Sequence, residues 1–132
     1  MVFLDANPVI YHVEQPPLWG PKASTRITAI VAAGEELSVS DLVRMECLVG
    51  PLKRNDTNLL NDFRTFFSLP DVRVLAVTAS VADRAAVIRA VHGFRPLDAL
   101  HLAAAIEHQC TRFLTNDAGL KAFPDIPVEV LS

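Results

Sequence analysis

Four acidic residues stand where an acid is expensive. Asp5 ends the apolar run Val2-Phe3-Leu4, and Asp117 follows Phe113-Leu114-Thr115-Asn116. Glu46 shares its helical neighbourhood with Leu42, Met45 and Val49, which mark the expected apolar face, and Asp98 opens a segment that is hydrophobic almost all round. Burying an unpaired carboxylate costs several kcal/mol. Carboxylates brought within a few ångströms raise one another's pKa, and a divalent cation is the usual compensation. Oxygen-only ligands select hard ions, so Mg²⁺ or Mn²⁺ is expected, with waters completing the octahedron. Such an ion polarises a phosphoryl oxygen and makes a bound water nucleophilic, which fits phosphodiester hydrolysis.

Elements that would bring the four together can be read from the same sequence. Val2-Phe3-Leu4 reads as a buried strand running into a helix that starts near Asn7-Pro8. The Pro-rich stretch Gln15 to Pro21 is expected to be a loop, with a helix from Ser24 to Ala33 closed by Gly34. Leu37-Ser38-Val39 is a second strand, and Ser40 caps a helix running to about Leu48, stopped by Gly50-Pro51. A helix over Thr57 to Phe67 presents Leu59, Leu60, Phe63, Phe66 and Phe67 on one face. Val72 to Val77 is a third strand, and Ser80 caps a helix to His92. The segment from Pro96 is a buried helix, Arg112-Phe113-Leu114 a fourth strand, Ala118 to Phe123 a helical turn, and Val128-Glu129-Val130 a last strand. Apolar strands alternating with helices indicate an α/β domain with a parallel sheet covered on both faces, whose ligands bind beyond the carboxyl ends of the strands. Asp5 and Asp117 then leave the same edge.

Ordinary roles exist for each acid: Asp98 and Asp117 at helix N-termini, Asp5 in a turn, Glu46 paired with Arg44. Four separate segments delivering an acid to one inferred edge favour a common site. The chain has 132 residues and 51% hydrophobic composition, enough for one domain, 1–132, without disulfides or structural metal. Its formal net charge is −3; taking the four acids from 15 leaves 11 against 12 Lys and Arg, so charge neither supports nor excludes a nucleic-acid partner. Cys47 and Cys110 lack metal-ligand spacing and read as buried thiols, and His12, His92 and His108 read as surface or cap residues. Apolar stretches fall short of the roughly 18 residues of a membrane span, and the amino terminus lacks a basic lead-in, so no membrane association and a cytoplasmic location are expected. No GxGxxG, P-loop or GxSxG motif is present. An aspartyl phosphatase would need a second Asp where Asn7 stands, and a phosphoacceptor domain would need an Asp after strand three.

Val-Phe-Leu-Asp5-Ala-Asn7-Pro, Ser40 followed six residues later by Glu46, Pro96-Leu97-Asp98-Ala-Leu-His-Leu-Ala-Ala-Ala, and Phe-Leu-Thr115-Asn116-Asp117 occur in that order across the whole chain. The pattern resembles the PIN-domain nucleases, and among them the VapC-type toxins of toxin–antitoxin pairs. The resemblance implies a three-layer α/β/α fold with a central parallel sheet of four to five strands. It implies that Asp5, Glu46, Asp98 and Asp117 hold Mg²⁺ or Mn²⁺ and orient the attacking water, with Asn7, Ser40, Thr115 and Asn116 as supporting polar groups. An endoribonuclease acting on structured RNA such as tRNA or rRNA is implied, leaving a 5′-phosphate and a 3′-hydroxyl. So are a homodimer and a cognate VapB-type antitoxin. Alternatives are an RNA-processing nuclease outside such a pair and a non-catalytic RNA- or protein-binding module on the same fold. His101, three residues after Asp98, departs from the aliphatic residue common in relatives; it could touch the site from that i+3 position, but a packing role within its helix is the expectation.

Overall fold

A computed structural model describes residues 1–132. Five strands form one sheet in the order β3-β2-β1-β4-β5, with every neighbouring pair parallel. β1 (Val2–Leu4) is central and lies between β2 (Leu37–Ser40) and β4 (Arg112–Thr115); β3 (Val72–Leu75) and β5 (Val128–Val130) form the edges. Burial follows position. β1 and β2 are buried at every residue, whereas edge strand β3 exposes Arg73 and Val74 between buried Val72 and Leu75. Phe3 and Phe113, register partners on β1 and β4, stack with ring centroids 5.3 Å apart at the centre of the core.

Six helices complete the fold: α1 (Ala6–Glu14), α2 (Trp19–Ala32), α3 (Asp41–Lys53), α4 (Thr57–Phe67), α5 (Ala79–His92) and α6 (Pro96–Glu107). The expected sheet and helix order are present, and no helix is long and apolar enough to cross a membrane. Several boundaries differ from expectation for identifiable reasons. α2 begins at Trp19 rather than Ser24, because Pro21 falls in the first turn, where no backbone N–H is needed. α3 continues through Gly50 and Pro51 to Lys53. Pro51 is buried on its inner face, and the end is closed by Arg54 N–H donating to Gly50 and Asp56 N–H donating to Pro51. α5 is capped by Thr78, whose Oγ1 accepts from Val81 N–H, rather than by Ser80. β3 stops at Leu75.

The expected apolar face of α3 is also corrected. Its buried stripe is Val43, Cys47 and Pro51, at i, i+4 and i+8, while Met45, Val49 and Leu52 are exposed. α4 spans the expected Thr57–Phe67 and buries Phe63, Phe66 and Phe67, with Leu59 and Leu60 half-buried; Asp56 caps it. The sheet continues from β1 toward β2 and β3 on one side and resumes with β4 on the other. This reversal between β1 and β4 opens a crevice at the carboxyl edge.

Candidate metal centre at the sheet switch point

Asp5 is the first residue after β1. Its backbone N–H donates to Leu114 at 2.9 Å, prolonging the ladder with β4. The carboxylate then divides its oxygens between two elements: Oδ1 accepts from Ala6 N–H at 2.8 Å, capping α1, and Oδ2 accepts from the Thr115 hydroxyl at 2.8 Å. Thr115, fully buried at the end of β4, also accepts from Asp117 N–H at 3.0 Å. Adjacent strand ends are thus tied across the switch point. Burial pushes the Asp5 carboxyl above its ordinary value of 3.8 and nearby Glu46 adds to the rise, against the lowering influence of His101, Thr115 and Ala6.

Glu46 arrives from the second turn of α3, which starts directly after β2. Ser40, fully buried, fixes that start by accepting from Leu42 N–H at 3.2 Å. Glu46 does not pair with Arg44, whose guanidinium lies over the Phe67 ring. Its Oε1 stands 2.6 Å from Nε2 of His101, and that nitrogen is 3.9 Å from Asp5 Oδ1. Donor atoms of Asp5, Glu46 and His101 all lie within 4.8 Å of one another. His101 is 1% exposed and its Nδ1 has no hydrogen-bond partner. It packs within its helix as expected and also faces the site. The signal available in the sequence was its i+3 spacing from Asp98, which places both on one helical face.

Asp98 and Asp117 lie outside this close group and share a different partner. Arg95 Nε donates to Asp98 Oδ2 at 3.1 Å, and its terminal nitrogen is 3.9 Å from Asp117 Oδ2. Asp98 is in the first turn of α6; Asp117 Oδ1 accepts from Gly119 N–H at 2.8 Å, capping the short 3₁₀ turn Ala118–Ala122. Of the other expected polar groups, Asn116 donates to the Tyr11 hydroxyl at 3.0 Å, and Asn7 lies exposed in the first turn of α1. Arg95, 80% exposed, is one of the chain's arginines, whose guanidinium suits carboxylate or phosphate contacts. The arrangement is a group of acids at the carboxyl edge of the sheet, with a buried imidazole beside Asp5 and Glu46 and an exposed guanidinium beside Asp98 and Asp117.

A doubly wound α/β/α domain with acids gathered at its switch point is therefore the class to which this molecule conforms. The chain belongs to the PIN domain family, whose model matches residues 2–126. Comparison with curated proteins finds no match. Among solved structures, it is similar to VapBC2 from Rickettsia felis bound to a promoter DNA fragment, with TM-score 0.82, 17% identity and 100% of each chain covered. It is also similar to FitAcB from Neisseria gonorrhoeae, with TM-score 0.74, 21% identity, and 97% of this chain and 96% of that one covered. VapC20 from Mycobacterium tuberculosis, described as a sarcin–ricin loop cleaving toxin, superposes with TM-score 0.69 and 16% identity, covering 95% of this chain and 91% of that one. At these identities the likeness establishes the fold.

Proposed function

We propose that this PIN domain is a divalent-metal-dependent endoribonuclease serving as the toxin of a toxin–antitoxin pair. The observation that carries the reading is the meeting of Asp5, Glu46 and His101 within 4.8 Å at the switch-point crevice. The donor chemistry fits a hard cation: two carboxylates are available, and Asp5 sits where its own charge is disfavoured by burial. Asp5 and Glu46 would hold Mg²⁺ or Mn²⁺, with Asp98 and Asp117 oriented toward the same crevice as ligands through water or direct contact. When bound, the ion supplies Lewis-acid activation of the phosphodiester and of a water.

The remaining work falls to the chain. Thr115 and the α1 N-terminus fix the Asp5 carboxylate, and Ser40 fixes the start of α3 and with it the reach of Glu46. Arg95, exposed and already between two carboxylates, is the cation placed to meet a phosphate at the crevice mouth. The toxin role and a VapB-type antitoxin are supported by neighbours described as VapBC and toxin–antitoxin complexes. We extend the reading to structured RNA as substrate, a homodimer and a cytoplasmic location.

The test is cleavage of purified tRNA and rRNA with Mg²⁺ or Mn²⁺, against EDTA and against Asp5→Asn. Expected are discrete products with 5′-phosphate and 3′-hydroxyl ends, and a loss of about a hundredfold or more in the variant. Cutting that persists in EDTA, or in the folded variant, sinks the reading. Growth arrest on expression, relieved by the product of an adjacent small reading frame, separates a toxin from an RNA-processing nuclease.

A further inference from the structure

His101 is the feature that the proposed chemistry leaves unassigned. It is 1% exposed, on a helix whose next four residues, Leu102 to Ala105, are fully buried, with the Phe3 ring 6.0 Å away. Its two nitrogens meet opposite surroundings. Nε2 faces the Glu46 carboxylate at 2.6 Å and Asp5 at 3.9 Å, whereas Nδ1 is buried without a partner.

That asymmetry decides where the ring carries its proton. A carboxylate only accepts, so the short contact with Glu46 needs an N–H on Nε2. A proton on Nδ1 would be a buried donor with nothing to receive it, a rarer and costlier defect than an unpartnered acceptor. The Nε2 lone pair is then occupied by the N–H bond and is not offered to an ion.

From this we infer that His101 is a positioning residue for Glu46, not a metal ligand: its Nε2–H holds Glu46 Oε1 and leaves Oε2 to face the crevice. The inference rests on the metal-centre reading proposed above and deepens it. Glu46 needs such a hold, because its side chain is 31% exposed and a free glutamate loses substantial rotamer entropy on being fixed. The ion would accordingly see oxygen donors from this chain, and hard Mg²⁺ or Mn²⁺ would be preferred over nitrogen-seeking ions such as Zn²⁺.

Two measurements test it. Long-range ¹H–¹⁵N correlation spectra of the metal-free protein should show His101 as the Nε2–H tautomer; the Nδ1–H tautomer overturns the inference. Calorimetric Mn²⁺ titration should show His101→Leu weakened about 10- to 100-fold. His101→Gln, whose amide nitrogen reaches the same region as a donor, should remain within about threefold of the unaltered protein. Equal losses in both variants, or none in either, overturn it. Should the substitutions unfold the protein, the tautomer measurement still decides. A protein that binds no Mn²⁺ at all removes the metal-centre reading itself, an outcome distinct from one in which Mn²⁺ binds and is indifferent to His101.

Discussion

Asp5 should cost the metal-free protein stability in exchange for the site, and Asp5→Asn measures that cost. In the variant, Oδ1 can still accept from Ala6 N–H, so the cap on α1 survives. The amide places N–H where Oδ2 received the Thr115 hydroxyl. Thr115 already accepts from Asp117 and has a second lone pair for the amide, but its own proton loses its acceptor, a loss of about 1 kcal/mol. Opposing this is relief of a carboxylate that is 13% exposed, whose charge is disfavoured by burial and by nearby Glu46. The net change at pH 7 in EDTA is expected within about 1 kcal/mol of zero. Asp5→Ala, by contrast, loses the cap and strands the buried Thr115 hydroxyl, for a net loss of about 2 kcal/mol. The pH dependence has a definite sign. Burial raises the folded-state value above the ordinary 3.8, so the unfolded chain gives up its proton first and stability falls as pH rises through the folded value. The Asn variant lacks that fall; its relative stability should improve above pH 3.8 and level off once the folded carboxyl has ionised. Urea denaturation across pH 3 to 8 measures both quantities. A loss above 2 kcal/mol for Asp5→Asn at neutral pH, or a relative stability that worsens as pH rises, would refute the assignment of Asp5 as a strained site carboxylate.

Three further outcomes are expected. Gly20→Ala should destabilise by about 1–3 kcal/mol in urea denaturation, because its Cβ would stand 2.6 Å from the Gln15 Cα and 2.8 Å from its carbonyl carbon, both backbone atoms; an unchanged midpoint contradicts that packing. Glu129, held below its ordinary 4.5 chiefly by the Arg26 hydrogen bond, stabilises above that pH and loses this contribution as pH falls through its folded value, so Glu129→Gln should flatten the acid limb of the stability curve and cost at most about 1 kcal/mol at pH 7. Removal of divalent ions with EDTA should leave the protein folded, and Mn²⁺ at a hundred times its Kd should then stabilise it by about 2.7 kcal/mol, a rise in Tm on the order of 10 °C that Asp5→Asn abolishes.

Legibility from sequence varied with how local the determining physics is. α4 was readable because the spacing of Leu59, Leu60, Phe63, Phe66 and Phe67 acts within a few turns of one helix. The prolines are also local signals but mislead in the opposite direction: Pro21 and Pro51 look like breakers in sequence, yet one occupies a first turn and the other is buried within three residues of a helix end. The side of α3 that faces inward depends on where β2 delivers the helix. Leu42, Met45 and Val49 are as hydrophobic as a core face, yet Val43, Cys47 and Pro51 turn inward. Strand-end positions made the shared edge of Asp5 and Asp117 readable, since parallel strands must finish on a common edge. The division of the acids into Asp5 with Glu46 and Asp98 with Asp117 was not readable, because it depends on the side chains of His101 and Arg95 reaching across the crevice.

That division explains how four acids are accommodated at one edge of the sheet. Each acid has a donor supplied by the chain: Thr115 and Ala6 for Asp5, His101 for Glu46, Arg95 for Asp98, and Gly119 for Asp117. The donors differ in how easily they can be given up. His101 and Thr115 are buried and held by the core, so the orientations they impose are set by the fold. Arg95 is exposed, and an exposed ion pair contributes little, so its hold on Asp98 is given up at small cost. The inner half of the site is therefore preorganised and the outer half exchangeable, a combination that suits the proposed cleavage of a charged substrate.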